Sequence, residues 1–285
     1  AEGGARVSAV FDSVSGKRAP PKPVGTILRG GSGLGDAIYL RPIAEFLVRN
    51  GHKVTVCTNF PDVFTGASVT VEPFRRDRVT MVAHYVGGKN NPATTLWQDM
   101  CAHAGVIAPL SFTWAPRNGA LLKRIRQDAA GRPVLLVHGG REPMGRLDKF
   151  GIELLPVEGA FNATIAALDD CFKVRIGRGD QLYPVTCDLD LTNNTSVADV
   201  IDIAWASAGV VSMCGFPVPL AEALDKPALF IWSSRGLVSA QGFIKTVTPA
   251  KILSKGSSRF VVDDWPVELL QESARQFRAS LACAS

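Results

Sequence analysis

The sequence lacks long hydrophobic runs, paired cysteines and an apolar leader. Its longest apolar runs, such as Val134–Val137 and Ala228–Trp232, fall far short of the roughly 20 residues that span a bilayer. The six cysteines form no CxxC pair, and no histidine lies near one at metal-ligand spacing, which predicts reduced thiols and no metal cofactor. The N-terminal segment has no apolar core typical of a secretory signal. Together these absences predict a cytoplasmic protein.

The composition is otherwise that of a globular chain. At roughly 150 residues per domain, 285 residues favour two domains or one large one. The 46% of hydrophobic and 20% of charged residues exclude disorder and coiled coil as descriptions of the whole chain. The 31 Lys and Arg residues outnumber the 26 Asp and Glu residues, and this modest excess favours contact with phosphates without identifying a partner.

The order of apolar runs and glycines predicts an α/β fold in two halves. Residues 1–23 mix Gly, Ser and Lys with three prolines, which predicts a flexible tail. A strand, a glycine cluster and a helix follow from Val24, and the same order begins again at Pro133 with PVLLVHGG. Short strands separated by helix-length connections are typical of parallel sheets. We therefore predict one domain over 24–118, a second over 131–270, and an amphipathic closing helix over 271–285.

The segment from Arg29 to Asp36 is the first candidate site, since its glycines lie between a strand and a helix. Glycines allow close approach of backbone N–H groups to a ligand, and a helix N-terminus favours an anion. The spacing matches neither the dinucleotide fingerprint nor the P-loop, so NAD and ATP sites are disfavoured. Asp36 has two open interpretations: it stabilises the start of the helix, or it acts as a general base.

Two further segments follow strands in the second half. The loop from His138 to Lys149 carries basic side chains that suit a diphosphate. The segment from Ser212 to Leu224 passes from a strand into a helix whose N–H groups we expect to face a ligand. Ligands of open α/β sheets bind at the carboxyl ends of the strands, so we predict that all three segments converge.

Two stretches of the chain resemble the ADP-heptose:lipopolysaccharide heptosyltransferases, glycosyltransferase family 9. The run Gly35-Asp36 with Pro42 and Leu47 is similar to that family's G-D-x-x-x-x-x-P-x-x-x-x-L opening. The run from Asp190 to Trp232, with its D-K-P, is similar to the family's donor-domain signature, which leads from L-T-G-x-T-S to a helix ending in G-K-P. The resemblance spans roughly residues 24–235.

This resemblance implies a GT-B architecture, with two Rossmann-like domains and a cleft between them. It implies an acceptor on the N-terminal domain, a nucleotide-diphosphate sugar on the C-terminal domain, and metal-independent inverting transfer with Asp36 as general base. Arg141, Arg146 and Lys149 would meet the diphosphate, and Asp180 would contact the nucleotide. The residues expected to bind the donor are Gly33, Gly35, His138, Gly139, Arg141, Arg146, Lys149, Asp180, Cys214 and Gly215.

The donor segment departs from the family pattern. Family members carry D-S-G-x-x-H at the start of the donor helix, whereas this chain reads M-C-G-F-P-V-P from Met213 to Pro219. The departure leaves open a different sugar or nucleotide, a non-catalytic nucleotide-sugar-binding or repurposed scaffold protein, and a nucleic-acid-base glycosyltransferase. The expected acceptor is anionic, such as a lipopolysaccharide core or modified DNA. A lipopolysaccharide acceptor implies a position at the inner membrane without stable insertion.

Overall fold

A computed structural model describes residues 25–84, 94–139, 157–178, 185–234 and 249–281. Within these ranges the chain forms two parallel sheets flanked by helices. The predicted tail, residues 1–23, lies outside the described residues.

The first sheet is built from the N-terminal part of the chain. Its elements are β1 (Gly25–Arg29), α1 (Leu34–Arg49), β2 (Lys53–Thr58), a short 3-10 helix (Pro61–Phe64), β3 (Thr70–Pro73), β4 (Met81–Val82) and α2 (Leu96–Ala104). The four strands are parallel in the order β3-β2-β1-β4. Alternating side chains of β2, among them Val54 and Val56, are buried, as expected of β-branched residues in a covered sheet. Strand β4 is the shortest of the four, from Met81 to Val82.

The second sheet is larger and carries the full order of a dinucleotide-binding fold. Its elements are α3 (Gly119–Ala129), β5 (Val134–His138), α4 (Glu158–Ala166), β6 (Phe172–Arg175), β7 (Leu189–Asp190), α5 (Val197–Ala206), β8 (Gly209–Met213), α6 (Pro217–Ala223), β9 (Ala228–Trp232), α7 (Pro249–Ile252), β10 (Ser258–Val262) and α8 (Val267–Leu281). The strands are parallel in the order β10-β9-β8-β5-β6-β7. Counted from β5, this is the Rossmann order 3-2-1-4-5-6 read from the opposite edge. The predicted parallel α/β fold is confirmed.

The C-terminal helix α8 runs over Val267–Leu281, which is the amphipathic stretch VELLQESARQFRASL of the sequence. Its apolar face is buried through Leu270, Ala274, Phe277 and Leu281, in one cluster with residues of β5, β8 and β9. A Cβ at Gly209 would come within contact distance of both Phe277 and Leu281. The helix therefore belongs to the layer that covers the second sheet.

The two halves are packed against each other. Helix α1 packs on α6, and one cluster of buried apolar residues continues from the first half to the second. The segment that crosses between the halves is held by Asp202 of α5, which is fully buried. This carboxylate accepts hydrogen bonds from the Trp114 indole at 2.6 Å and from the backbone N–H groups of Arg117 and Asn118 at 2.9 and 2.7 Å. A buried ion pair, Lys251 with Asp99 at 2.6 Å, adds a second link.

Candidate active site

Each sheet has a topological switch point, where ligands of open α/β sheets bind. In the first sheet it lies between β1 and β4, where the Ala83 N–H donates to the Arg29 carbonyl at 2.8 Å. In the second it lies between β5 and β8, where His138 is paired with Ser212. The glycine loop after β1 and the loop after β8 leave these two points, so the described parts of the three predicted segments lie at the expected ends of their strands.

Asp36 is the third residue of α1, and it caps the helix. Its Oδ2 accepts a hydrogen bond from the Gly33 N–H at 3.0 Å. Burial raises the pKa of Asp36 above its ordinary value, although the Gly33 hydrogen bond and the charge of His84 lower it. Within the described residues, Oδ1 has no hydrogen-bond donor. Asp36 thus stabilises the start of the helix from its third position, with Gly33 and not Asp36 as the N-cap residue, and the carboxylate still has an oxygen available for a ligand.

Gly31 lies directly against this carboxylate, and sequence reasoning did not select it. A Cβ at Gly31 would overlap both oxygens of Asp36, and one at Gly33 would lie 3.1 Å from Oδ2. Glycine at position 31 therefore holds space for the carboxylate.

His84 lies just beyond the end of β4, close to the start of α1. From there its charge lowers the pKa of Asp36. Its carbonyl accepts a hydrogen bond from Nδ1 of His103 at 2.8 Å, which fixes the backbone at this point. A histidine near enough to affect the pKa of a carboxyl can tune a proton acceptor. The two residues are near each other only in the folded chain, so no spacing in the sequence reveals it.

In the second half, His138 ends β5 and is buried. Its Nδ1 lies 3.5 Å from the Ser212 hydroxyl, and its ring meets Phe216 edge to face at 5.1 Å between centroids. Phe216, which was not among the predicted site residues, also reaches the first half. A Cβ at Gly35 would lie 3.5 Å from Cα of Phe216, so the start of α1 meets the start of α6 at this contact.

The N-terminus of α6 differs from our expectation. The helix begins at Pro217, and Pro219 follows two residues later, so two of its first three residues have no N–H group. The remaining one, Val218, donates to the Gly215 carbonyl at 3.2 Å. The predicted array of helix N–H groups facing a ligand is therefore wrong here. Burial also raises the pKa of the Cys214 thiol to about 12, which keeps it neutral.

The other predicted donor residues divide into packed and undescribed ones. Gly139 is buried against Val185 and Phe161, where a Cβ would clash with the valine, so packing accounts for this glycine. The basic loop residues Arg141, Arg146 and Lys149, together with Asp180, lie outside the described residues. Their roles stay predictions.

The described ranges contain neither a metal-binding cluster nor a membrane-spanning helix. No cluster of three His, Cys, Asp or Glu side chains there is arranged to hold a metal ion. No described helix has both the length and the apolar character needed to cross a bilayer.

Two Rossmann-like sheets that meet at the carboxyl ends of their strands define a GT-B-like fold. Solved glycosyltransferases share it. The E. coli ADP-heptose lipopolysaccharide heptosyltransferase II is 11% identical, with 90% of this chain and 99% of that chain covered and a TM-score of 0.56. A family 9 glycosyl transferase from Veillonella parvula is 7% identical, covering 94% and 99%, with a TM-score of 0.59. The iron-containing dodecameric glycosyltransferase TibC of enterotoxigenic E. coli is 13% identical, covering 92% and 77%, also at 0.59.

No protein-family profile matches the chain, and no curated protein sequence is similar to it. Heptosyltransferases and a family 9 glycosyl transferase are thus among the solved proteins that share the fold of this chain. Sequence identities of 7–13% show a shared fold only. The activity has to be inferred from the residues of the candidate site.

Proposed function

We propose that this protein is a glycosyltransferase that moves a sugar from a nucleotide-diphosphate sugar to an acceptor hydroxyl, with Asp36 as general base. The observation that carries the proposal is the Asp36 carboxylate itself. It lies at the switch point of the first sheet, beside the contact between Gly35 and Phe216, and burial raises its pKa. A raised pKa makes an ionised carboxylate a stronger base for a hydroxyl proton.

The proposed reaction is a single displacement. Asp36 takes the proton of the acceptor hydroxyl as the acceptor oxygen bonds to the anomeric carbon of the donor. The bond from that carbon to the phosphate oxygen breaks, and the nucleoside diphosphate leaves with the electron pair. Attack opposite the leaving group inverts the anomeric centre.

The leaving diphosphate needs preorganised positive charge. The sequence offers it in Arg141, Arg146 and Lys149 on the loop that follows His138. Arg can meet a phosphate through paired N–H donors without a metal. We therefore propose metal-independent transfer. Because TibC is described as iron-containing, iron is the metal to test against this proposal.

The proposed acceptor is anionic. Arg29 ends β1 at the switch point and lies 5.8 Å from the Phe74 ring, at the carboxyl edge of the first sheet. A cation beside an aromatic face suits a sugar that carries a phosphate or carboxylate, as in a lipopolysaccharide core. The similar E. coli protein is named a lipopolysaccharide heptosyltransferase, which supports an anionic saccharide as acceptor. None of the comparisons supports modified DNA.

The test is a melting-temperature screen against nucleoside diphosphates and nucleotide sugars, with and without EDTA or added Fe²⁺, because a ligand of the folded state raises the midpoint. We expect one nucleotide class to raise it regardless of EDTA. Release of the free nucleoside diphosphate is then followed with anionic saccharide acceptors. No shift with any donor contradicts the proposal. A shift without transfer to any acceptor favours a non-catalytic nucleotide-sugar-binding protein.

A further inference from the structure

A pocket of about 500 Å³ lies along the C-terminal half of α1, between the turn at 65–68 and the crossing segment at 113–117. Helices rise about 1.5 Å per residue, so Arg49 at the end of this pocket is ~20 Å along the helix from Asp36. We propose that this pocket is a second ligand site, which binds a small phosphorylated molecule such as a sugar phosphate. The proposal does not depend on the proposed function.

The pocket carries more positive than negative charge. Arg41, Arg49 and Arg117 line it, and Glu45 is the single acid among its lining residues. The carboxylate of Glu45 is already engaged, because Oε1 accepts from Arg41 Nε at 2.8 Å and Oε2 lies 4.0 Å from Arg49. The Arg117 side chain is exposed and forms no ion pair within the described residues. Arg117 is thus available for an anion, and so is Arg49, whose side chain is 57% exposed and only loosely paired with Glu45.

The arginines also influence one another. Burial lowers the pKa of Arg41, and the charge of Arg117 lowers it further, against the opposing effect of Glu45. Arg41 itself is held rigidly, since it donates to the carbonyls of Val63 and Thr113 at 2.7 and 2.8 Å. The positive charges of Arg41 and Arg117 therefore repel each other. An anion bound in the pocket would reduce this repulsion.

The remaining lining residues indicate the kind of anion. Thr65, Ser68 and Thr113 bring hydroxyl groups to the pocket, and none of the lining residues is aromatic. A nucleobase would have no ring to stack on, whereas a polyol finds hydroxyl partners. The volume lies within the usual range of roughly 300–1,000 Å³ for small-molecule sites and exceeds what free phosphate needs. A phosphorylated polyol fits these properties best.

A ligand here would connect the two halves. Arg117 belongs to the crossing segment, and its N–H donates to Asp202 of the second half. Arg49 and the turn at 65–68 belong to the first half. An anion held by both arginines therefore stabilises the packed arrangement of the two halves. Through that packing, binding in this pocket would influence the candidate active site around Asp36.

The experiment is calorimetric titration of the full chain with glucose 6-phosphate and inorganic phosphate at constant ionic strength. We expect glucose 6-phosphate to bind more tightly than inorganic phosphate, and Arg117→Ala and Arg49→Ala each to weaken binding by roughly tenfold or more. Arg124→Ala is the matched control, because this arginine is an exposed side chain of α3 paired with Asp128 at 3.5 Å. It should leave the affinity unchanged.

Hydrogen exchange locates the ligand independently of the variants. Glucose 6-phosphate should slow amide exchange in 65–68 and 113–118. Protection confined to the glycine loop at 30–36, unchanged affinity in both arginine variants, or no binding of either probe to the wild-type chain would overturn the proposal. Equal affinity for the two probes would identify a free-phosphate site and overturn the polyol assignment.

Discussion

Helices α1 and α5 begin in the same way but hold their first acid differently. Each has an aspartate at its third position, which accepts an N–H from the residue before the helix: Gly33 to Asp36 at 3.0 Å, and Ser196 to Asp199 at 2.9 Å. Asp199 also accepts from the Ser196 hydroxyl and the Asn118 amide, both at 2.7 Å. Although burial raises the pKa of Asp199, these hydrogen bonds hold it below its ordinary value, whereas that of Asp36 is raised.

The difference separates a structural acid from a candidate base. A carboxylate that only stabilises a helix is best fully ionised and fully bonded, as Asp199 is. Asp36 is desolvated, has one hydrogen bond and keeps an oxygen without a donor among the described residues. That state is poorer for stability and better for accepting a proton. We therefore expect replacement of Asp36 to affect activity and replacement of Asp199 to affect stability.

The largest expected effect is that of Asp36→Asn on transfer. The amide oxygen can still accept from the Gly33 N–H, so the helix start is preserved, but no base remains. We expect the rate of sugar transfer to fall roughly 10²–10⁴-fold, with donor affinity unchanged. Nucleoside diphosphate release and donor titration measure the two quantities. Full activity in a folded variant would remove Asp36 from the mechanism.

Gly31→Ala should have the next largest effect. The added Cβ displaces the Asp36 carboxylate while leaving its chemistry intact. Misplacing a catalytic group by about 1 Å costs on the order of tenfold to hundredfold in rate. Gly119→Ala is the matched control, because a Cβ there meets nothing within 4 Å. Equal rates for the two variants would show that the position of the carboxylate is unimportant.

Asp199→Asn should affect stability in place of activity. The variant loses a charge-assisted capping network that ties α5 to Asn118. We expect a loss of about 1 kcal/mol in the free energy of unfolding, and no change in transfer rate per folded molecule. Urea denaturation and the transfer assay check the two parts. A loss of activity with unchanged stability would reverse the roles assigned to the two acids.

The predictable part of this fold follows from local pattern. The β-branched run of β2 and the amphipathic spacing of α8 predict their elements, since each buries one side in a regular repeat. Strand β10 gives no such signal, because it starts at Ser258 and exposes Arg259 and Phe260 at the sheet edge. Helix α6 begins at its prolines, and the N–H groups expected to face a ligand there are missing for a local reason, since Pro217 and Pro219 have no N–H donor.

The candidate site shows where local pattern ends. Asp36 is recognisable because a glycine loop precedes it, but its pKa depends on burial, which raises it, and on His84, which is distant in sequence and lowers it. Phe216 contributes through contacts with His138 and with the start of α1 in the other half. Such roles depend on how the two halves pack, and that information is spread over the whole chain.

The smallest expected effect is on the pH dependence of stability. The pKa shifts of the two acids have opposite signs, so their contributions to stability change with pH in opposite directions. The folded pKa of Asp199 is lowered, so its contribution is complete above the unfolded value of 3.8 and is lost as pH falls through the folded pKa. The folded pKa of Asp36 is raised, so its protonated form favours folding below 3.8, and this contribution is lost as pH rises through the folded pKa.

At neutral pH, Asp36→Asn should therefore match or exceed the wild-type melting temperature, and any gain should vanish toward pH 3. The deficit of Asp199→Asn should shrink over the same range. Melting curves of the wild type and the two variants at several pH values provide the measurement. If the difference in melting temperature from the wild type changed in the same direction with pH for both variants, burial would not distinguish the two carboxylates.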